Sequence, residues 1–337
     1  MRRFPAAARS TACGVVTPPE GAPEEPDQPG TLQFNVALTP PDLSPWDAGN
    51  TGVRGFTTFA AGRPGPHVVI VSLVHGNELA GAIVLEAMLR EGIRPLSGRL
   101  TVGFANLDAF ARFDPRHPTA SRFVDEDLNR LWDPAWLEAS RRSNELARAR
   151  AMQPIVESAD VLLDLHSMLW PSDPLLLSGP SRKGRALALS VGTPDLVVAD
   201  HGHVSGPRLI DYTRFVSGDT AAAAALVEAG QHWQSDTVAT TRACVDGLLR
   251  ATGLQNGPIP TQATHRCAEV TLAVTATTNS FAFTRAFRGG DVVPERNTLI
   301  ALDGTAEIRT PHNNCLLVMP SLRPSRGHTA VRLARFV

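Results

Sequence analysis

The run His67-Val-Val-Ile-Val-Ser-Leu-Val74 constrains the fold of this chain more than any other feature. It is continuous, rich in β-branched residues and lacks polar alternation, the pattern of a strand buried on both faces. Glu78 to Arg90 follows with Leu79, Ile83, Leu85, Met88 and Leu89 at helical spacing, and Arg99 to Ala105 reads as another strand. Strand, helix and strand in that order make a crossover unit, which requires a parallel or mostly parallel sheet. His75-Gly-Asn-Glu78 closes the first strand, so an imidazole and a carboxylate stand three residues apart where open α/β sheets place their sites. One short turn can offer both to a single zinc ion.

The remaining organisation follows from periodicity. Phe34 to Leu38 and Phe56 to Ala60 read as strands, and Pro134 to Val156 as a helix. Asp160 to Leu165 is a buried strand ending at His166; Leu175 to Leu177 and Leu196 to Ala199 are shorter ones, and Val238 to Leu249 is a helix. Ala221 to Val227 stays open between helix, favoured by its alanines, and strand, favoured by the Glu-Ala-Gly that follows. Residues 106 to 135 lack periodicity, and a loop of that length in a compact domain usually serves function. Gly253, Asn256, Gly257, Pro258 and Pro260 mark a break. Short strands beyond it (Ala268 to Val274, Phe281 to Phe283, Leu299 to Leu302, Cys315 to Met319) make residues 256–337 a small all-β domain after a catalytic α/β domain over 31–255. Residues 1–30, rich in Pro, Ala and Glu, read as a disordered tail.

Composition excludes several classes. With a formal net charge of −1, nothing suggests a nucleic-acid or anionic-membrane surface, so affinity for acidic molecules must come from local arginines. No run reaches the length of a membrane span, and no long apolar segment follows Arg2 and Arg3, so a secretory signal is not expected. Cys13, Cys244, Cys267 and Cys315 form no C-x-x-C pair and read as free thiols of a reducing, cytoplasmic setting. Oligomeric state is left open, a homo-oligomer included.

The chemistry-bearing residues form a series. His166 at a strand end is a candidate third ligand: with His75 and Glu78 it makes a His₂Glu set, which leaves the fourth zinc position open. Asp164, two residues earlier on the same strand face, can orient His166. Arg122-Phe-Val-Asp-Glu-Asp127-Leu-Asn129-Arg130 places a guanidinium and a neighbouring amide on the long loop, suited to holding an acidic substrate. Glu228, before a glycine turn, can move a proton between water and a leaving amine. His201 and His203 read as part of a polar loop.

These motifs, His-Gly-Asn-Glu, Asp-x-Asp-Leu-Asn-Arg, Asp-Leu-His and Glu-x-Gly in that order, resemble the succinylglutamate desuccinylase and aspartoacylase family, relatives of the zinc carboxypeptidases. The resemblance spans roughly residues 55 to 337. It implies a mixed, mostly parallel sheet with helices on both faces and a small C-terminal β domain. It also implies one zinc per chain on His75, Glu78 and His166, with Glu228 as general base and acid. Arg122 then polarises the scissile carbonyl, and Asn129 and Arg130 bind a substrate carboxylate. The implied activity is hydrolysis of an N-acyl amino acid or similar small acidic amide, a carboxylate-bearing small molecule. A carboxypeptidase acting on short peptides and a non-catalytic zinc-binding protein on the same fold are the alternatives. Two features depart from the family. Some members place a tyrosine from the β domain in the site, whereas the single tyrosine here is Tyr212, in the α/β part. Some use an arginine shortly before the base, and the spacing of Arg214 does not transfer that role.

Overall fold

Alternate residues of one strand face two different cores, and the rest of the architecture follows from that. In β2 (His67–Ser72), Val69 and Val71 pack into one apolar cluster while Val68 and Ile70 pack into another. Both faces therefore carry helices. α4 (Asn144–Ser158) closes the first cluster with Leu146, Ala149, Met152 and Val156. α1 (Leu79–Arg90), α5 (Arg182–Val191) and α7 (Ser235–Ala251) close the second. The computed structural model describes residues 33–203, 205–258 and 265–337. The chain divides into Met1–Phe34 and Asn35–Val337, and the sheets and helices belong to the second unit. The expected tail over residues 1–30 and Cys13 lie outside the described residues.

Further strands complete an 11-stranded mixed sheet. They are β1 (Phe56–Ala60), β3 (Arg99–Phe104), β4 (Val161–Met168), β5 (Leu175–Leu177), β6 (Leu196–Ala199), β7 (Ala223–Gln231), β8 (Arg266–Thr275), β10 (Val292–Val293), β13 (Cys315–Val318) and β14 (Thr329–Phe336), in the order β1-β3-β2-β4-β7-β5-β6-β8-β14-β13-β10. β3, β2, β4 and β7 run parallel, as the crossover unit requires. The sheet continues without a break from the parallel strands through β6 and β8 into the antiparallel C-terminal strands. A separate three-stranded sheet of β9 (Phe281–Phe283), β11 (Leu299–Asp303) and β12 (Ala306–Arg309) supplies Phe281 and Ile300 to a third apolar cluster, shared with Leu317 and Leu333 of the main sheet.

Two local expectations are corrected and one open choice is decided. No strand forms over residues 34–38: Val36 and Leu38 are half-buried, but no ladder receives the segment, and Ala37 N–H bonds only to Trp233 O. The helix expected over 134–156 is two, α3 (Pro134–Glu138) and α4, because Ser143 starts the second by accepting from Leu146 N–H. Ala221 to Val227, left open between helix and strand, lies largely in β7. A short helix, α2 (Leu107–Phe110), and a 3₁₀ turn, Leu128–Arg130, punctuate the long loop. Among the described residues no helix is long and apolar enough to cross a membrane, and Cys244, Cys267 and Cys315 are free thiols.

Candidate active site

Leu73, directly after β2, has a φ of 55°, a left-handed conformation that costs a non-glycine residue free energy. The bend turns the chain abruptly, so that His75 to Glu78 cross the end of the sheet before α1 begins. Glu78 is the residue on which α1 starts. Gly76 allows the turn to sit down, since a Cβ there would lie 2.4 Å from Phe110 N and 2.6 Å from Ser121 O. Trp233, whose φ of 62° is also left-handed, donates its indole N–H to Asn77 O and fixes the turn from the far side.

His75, Glu78 and His166 meet at this point. All three are buried, and one donor atom from each lies within 4.8 Å of the others. His75 Nδ1 stands 2.7 Å from Glu78 Oε1, and His166 Nδ1 stands 3.0 Å from Glu78 Oε2. The imidazole rings meet edge to face, centroids 4.9 Å apart. The outward nitrogens face carboxylates: His75 Nε2 is 2.9 Å from Asp127 Oδ1, and His166 Nε2 is 2.8 Å from Asp164 Oδ2. Asp164 sits at ion-pair distance but off the line of a hydrogen bond, so its contribution to His166 is chiefly charge. A carboxylate behind each ligand imidazole is the usual support of a metal-binding histidine. Ser167 N–H donates to Glu78 Oε2, and its hydroxyl meets His232 Nδ1 at 2.7 Å. This donor set, two imidazoles and one carboxylate with orienting carboxylates behind the imidazoles, fits a zinc ion with an open coordination position.

Burial and neighbouring charge pull against each other here. Burial would raise the Glu78 carboxyl, yet His75 and His166 hold it well below the usual carboxylate range. Burial would lower His166, yet Asp164 and Glu78 hold it well above the ordinary imidazole value. Asp127 is likewise kept low, against its burial, by His75 and Arg122. Glu228 differs. Burial pushes its carboxyl up to about 8, with His166 opposing and Glu78 adding to the rise. It sits directly across from His166 in the parallel β4–β7 ladder, and its Oε2 is buried with no hydrogen-bond partner. A carboxyl poised near neutrality beside a ligand cluster is equipped to accept and return a proton.

The loop brings its arginines to the same place. Arg122 Nη2 approaches His75 Nε2 at 2.8 Å and Asp127 Oδ2 at 3.2 Å, while Nη1 is 3.4 Å from Glu78 Oε1. One His75 nitrogen cannot donate to Asp127 and accept from Arg122 at once, so with the proton on Nε2 facing Asp127 the Arg122 donor would be left free. Asn129 is buried; its Oδ1 accepts from Leu209 N–H, and its Nδ2 lies 3.4 Å from His166 Nε2. Arg130 donates to Asn129 O and lies 3.8 Å from Asp127 Oδ2. The structure thus brings together all eight sequence-derived residues: His75, Glu78, His166, Asp164, Arg122, Asn129, Arg130 and Glu228.

Other residues escaped the sequence reading. Glu145 of α4, fully buried, accepts from the backbone N–H groups of Val124, Asp125 and Glu126 and from Asn106 Nδ2, and so holds the loop between Arg122 and Asp127. Its only sequence signal is a carboxylate in the first turn of a capped helix. His232, which burial pushes down to about 4, stands behind Ser167. Tyr212 and Arg214 are elsewhere: the Tyr212 hydroxyl bonds Glu157, and Arg214 donates to Ala159 O at the opening end of β4. His203 meets Thr329 Oγ1 and accepts from Ser205 N–H, and neither it nor His201 joins the ligand cluster. Cavities of about 500 and 260 Å³ are lined by none of the clustered residues.

Residues 64–187 match the family model of the Succinylglutamate desuccinylase/Aspartoacylase catalytic domain, a span that contains His75 through His166 and ends before Glu228. A succinylglutamate desuccinylase of Pseudoalteromonas atlantica is 33% identical over 116 residues, 31% of this chain and 32% of that protein. The chain therefore matches about a third of the length of that curated relative. Crystal structures of succinylglutamate desuccinylases from Vibrio cholerae (TM-score 0.65, 16% identity) and Vibrio parahaemolyticus (TM-score 0.63, 18% identity) each cover 84% of this chain and 86% of their own. At that identity the likeness is one of fold.

Proposed function

We propose, from the match of residues 64–187 to the Succinylglutamate desuccinylase/Aspartoacylase catalytic domain and from the clustered site, that the chain is a member of that family and a zinc-dependent deacylase that hydrolyses the amide of an N-acyl amino acid or similar small acidic amide. In this reading residues 31–255 form the catalytic part and 256–337 a β part that adds to the site. One zinc ion per chain would be held by His75, Glu78 and His166. When bound, it supplies a Lewis acid for a carbonyl and acidity to a water molecule. The observation that carries the reading is the placement of Glu228 across the ladder from His166, buried, with one oxygen unpartnered.

The residues divide the work. Glu228 takes the proton of the attacking water and gives it to the departing amine, which its raised proton affinity favours. Arg122, released from His75, turns its guanidinium to the substrate carbonyl and stabilises the negative charge that develops there. Asn129 and Arg130 hold a substrate carboxylate. The free thiols support a cytoplasmic setting, which cell fractionation tests. Glu228→Gln is expected to lower kcat by about 10²–10⁴-fold with zinc content unchanged, since general base catalysis contributes that much. Near-normal turnover in that variant rules the mechanism out.

A further inference from the structure

The ladder between β4 and β7 becomes irregular just past the site. His166 stands opposite Glu228, yet Met168, two residues on, stands opposite Gln231, three residues on. β7 therefore carries one extra residue, a bulge, directly beyond Glu228. Gly230 lies in it with a φ of 141°, and a Cβ there would stand 2.7 Å from Thr237 Oγ1 of α7. A bulge bends its strand and re-aims the residues that follow. It also interrupts the regular pairing that sets one strand's offset from the next. Glu228 is thus held by regular ladder on one side only, through Leu226 and Val227 opposite Asp164 and Leu165.

The two residues after the bulge fasten its other side. His232 N–H donates to Met168 O at 2.7 Å, and its Nδ1 meets Ser167 Oγ at 2.7 Å. Ser167 directly follows His166, and its N–H donates to Glu78 Oε2, the oxygen that lies 3.0 Å from His166 Nδ1. Trp233 then reaches the other ligand segment, donating its indole N–H to Asn77 O at 2.9 Å. His232, Ser167, Glu78 and Trp233 are each no more than 5% exposed, so water does not compete for these bonds. A buried histidine with a partner is by itself an ordinary core residue. This one differs because its bonds, and that of its neighbour Trp233, all end on the two segments that carry His75, Glu78 and His166.

We propose that His232 is a positioning residue: through Ser167 it sets where Glu78 and His166 stand relative to Glu228 on the bulged strand. The roles of those three groups rest on the deacylase reading. His232 acts one residue removed, since its side chain bonds Ser167 and none of the three. Proton transfer needs the base and the ligands, which come from different strands, to keep their spacing, and an error near 1 Å costs on the order of 100-fold in turnover. A hydrogen-bonding partner behind a metal ligand is typically worth 10–100-fold in metal affinity or activity. An asparagine side chain carries a polar atom as many bonds from its Cα as Nδ1 of histidine, whereas leucine has similar bulk and no polar atom.

The test compares full-length wild type, His232→Leu, His232→Asn, Ser167→Ala and the double variant Ser167→Ala with His232→Leu. Zinc affinity is read by chelator competition and ligand geometry by visible absorption of the cobalt(II)-loaded protein. The kinetic readout is kcat and KM on the best substrate from a screen of N-acetyl and N-succinyl amino acids. His232→Leu and Ser167→Ala should each weaken zinc binding about 10-fold, change the cobalt spectrum and lower kcat about 10–100-fold, with KM within about threefold of wild type. His232→Asn should recover zinc affinity and kcat to within about threefold of wild type. The double variant should be no worse than the weaker single one, because both changes cut the same link. Should His232→Leu not fold, Ser167→Ala, which removes only a hydroxyl, carries the same comparison with His232→Asn. Wild-type zinc affinity and cobalt spectrum in the single variants overturn the proposal whatever happens to kcat. So do an Asn variant as impaired as the Leu variant and losses that add in the double variant, which mark separate effects on packing. If wild type binds zinc and hydrolyses no probe, the deacylase reading fails, and zinc affinity and the cobalt spectrum alone decide the role of His232. A wild type that takes up no zinc overturns both.

Discussion

Gly76→Ala isolates how the ligand turn is built. The added methyl would stand 2.4 Å from Phe110 N, 2.5 Å from Ala109 C and 2.6 Å from Ser121 O, about 1 Å inside ordinary van der Waals contact on two sides. All three obstacles are backbone, so no rotamer change relieves them. Gly76 N–H is also bonded to Arg122 O, so the turn cannot recoil without pulling on the arginine loop. Overpacking of this kind costs roughly 1–3 kcal/mol when the surroundings yield. A shift approaching 1 Å in His75 or Glu78 costs on the order of 100-fold in turnover. Gly62→Ala is the matched control, because nothing lies within 4 Å of its added methyl. Zinc affinity by chelator competition, urea unfolding of the metal-free protein and kcat/KM should all deteriorate in Gly76→Ala, with zinc affinity down by about 10–100-fold, which corresponds to roughly 1.4–2.8 kcal/mol. Gly62→Ala should stay within about 0.5 kcal/mol of wild type. A Gly76→Ala protein that binds zinc and turns over like wild type would show that the turn is not clamped between residues 109–110 and 121.

Glu145→Gln places an amide NH₂ where an oxygen receives backbone N–H groups, and should cost about 2–4 kcal/mol while lowering kcat/KM through the loosened Arg122–Asp127 loop. Wild-type urea stability in that variant would sink the assignment of Glu145 as the loop's anchor. For His232, the folded pKa of about 4 lies below the ordinary 6.5, so between those values the unfolded chain takes up a proton that the folded chain refuses. Stability from this group is therefore complete above pH 6.5 and lost as pH falls toward 4, by up to about 3 kcal/mol. Metal-free His232→Phe should show a shallower fall in unfolding free energy over that window, and an unchanged slope would refute the role of His232.

What the sequence reveals is what repeats locally. β2 is legible because Val68, Val69, Ile70 and Val71 feed two cores in alternation, so no polar residue interrupts them. Asp164 and His166 are legible as a pair because a strand returns to the same face every second residue. Phe34 to Leu38 shows the same alternation and forms no strand, since alternation describes a face while a strand also needs a neighbouring backbone. The break between α3 and α4 was marked by Ser143, a capping residue inside an otherwise continuous helical pattern.

The parts of the site that stay hidden in the sequence are those that act at a distance through space. Asp127 lies within the arginine-loop motif, yet its pairing with His75 depends on how that loop folds over the sheet end. Glu145 looks like a solvent-facing helix residue until the backbone of 124–126 closes over it. Arg332 is the extreme case, because its approach to Asp200 exists only after β6, β8 and β14 have been laid side by side in one sheet. That topology gives a physical reason for a C-terminal β segment continuous with the parallel strands. A strand is a stiff way to hold a cation, and β14, hydrogen-bonded on both sides, holds Arg332 more rigidly than a loop would.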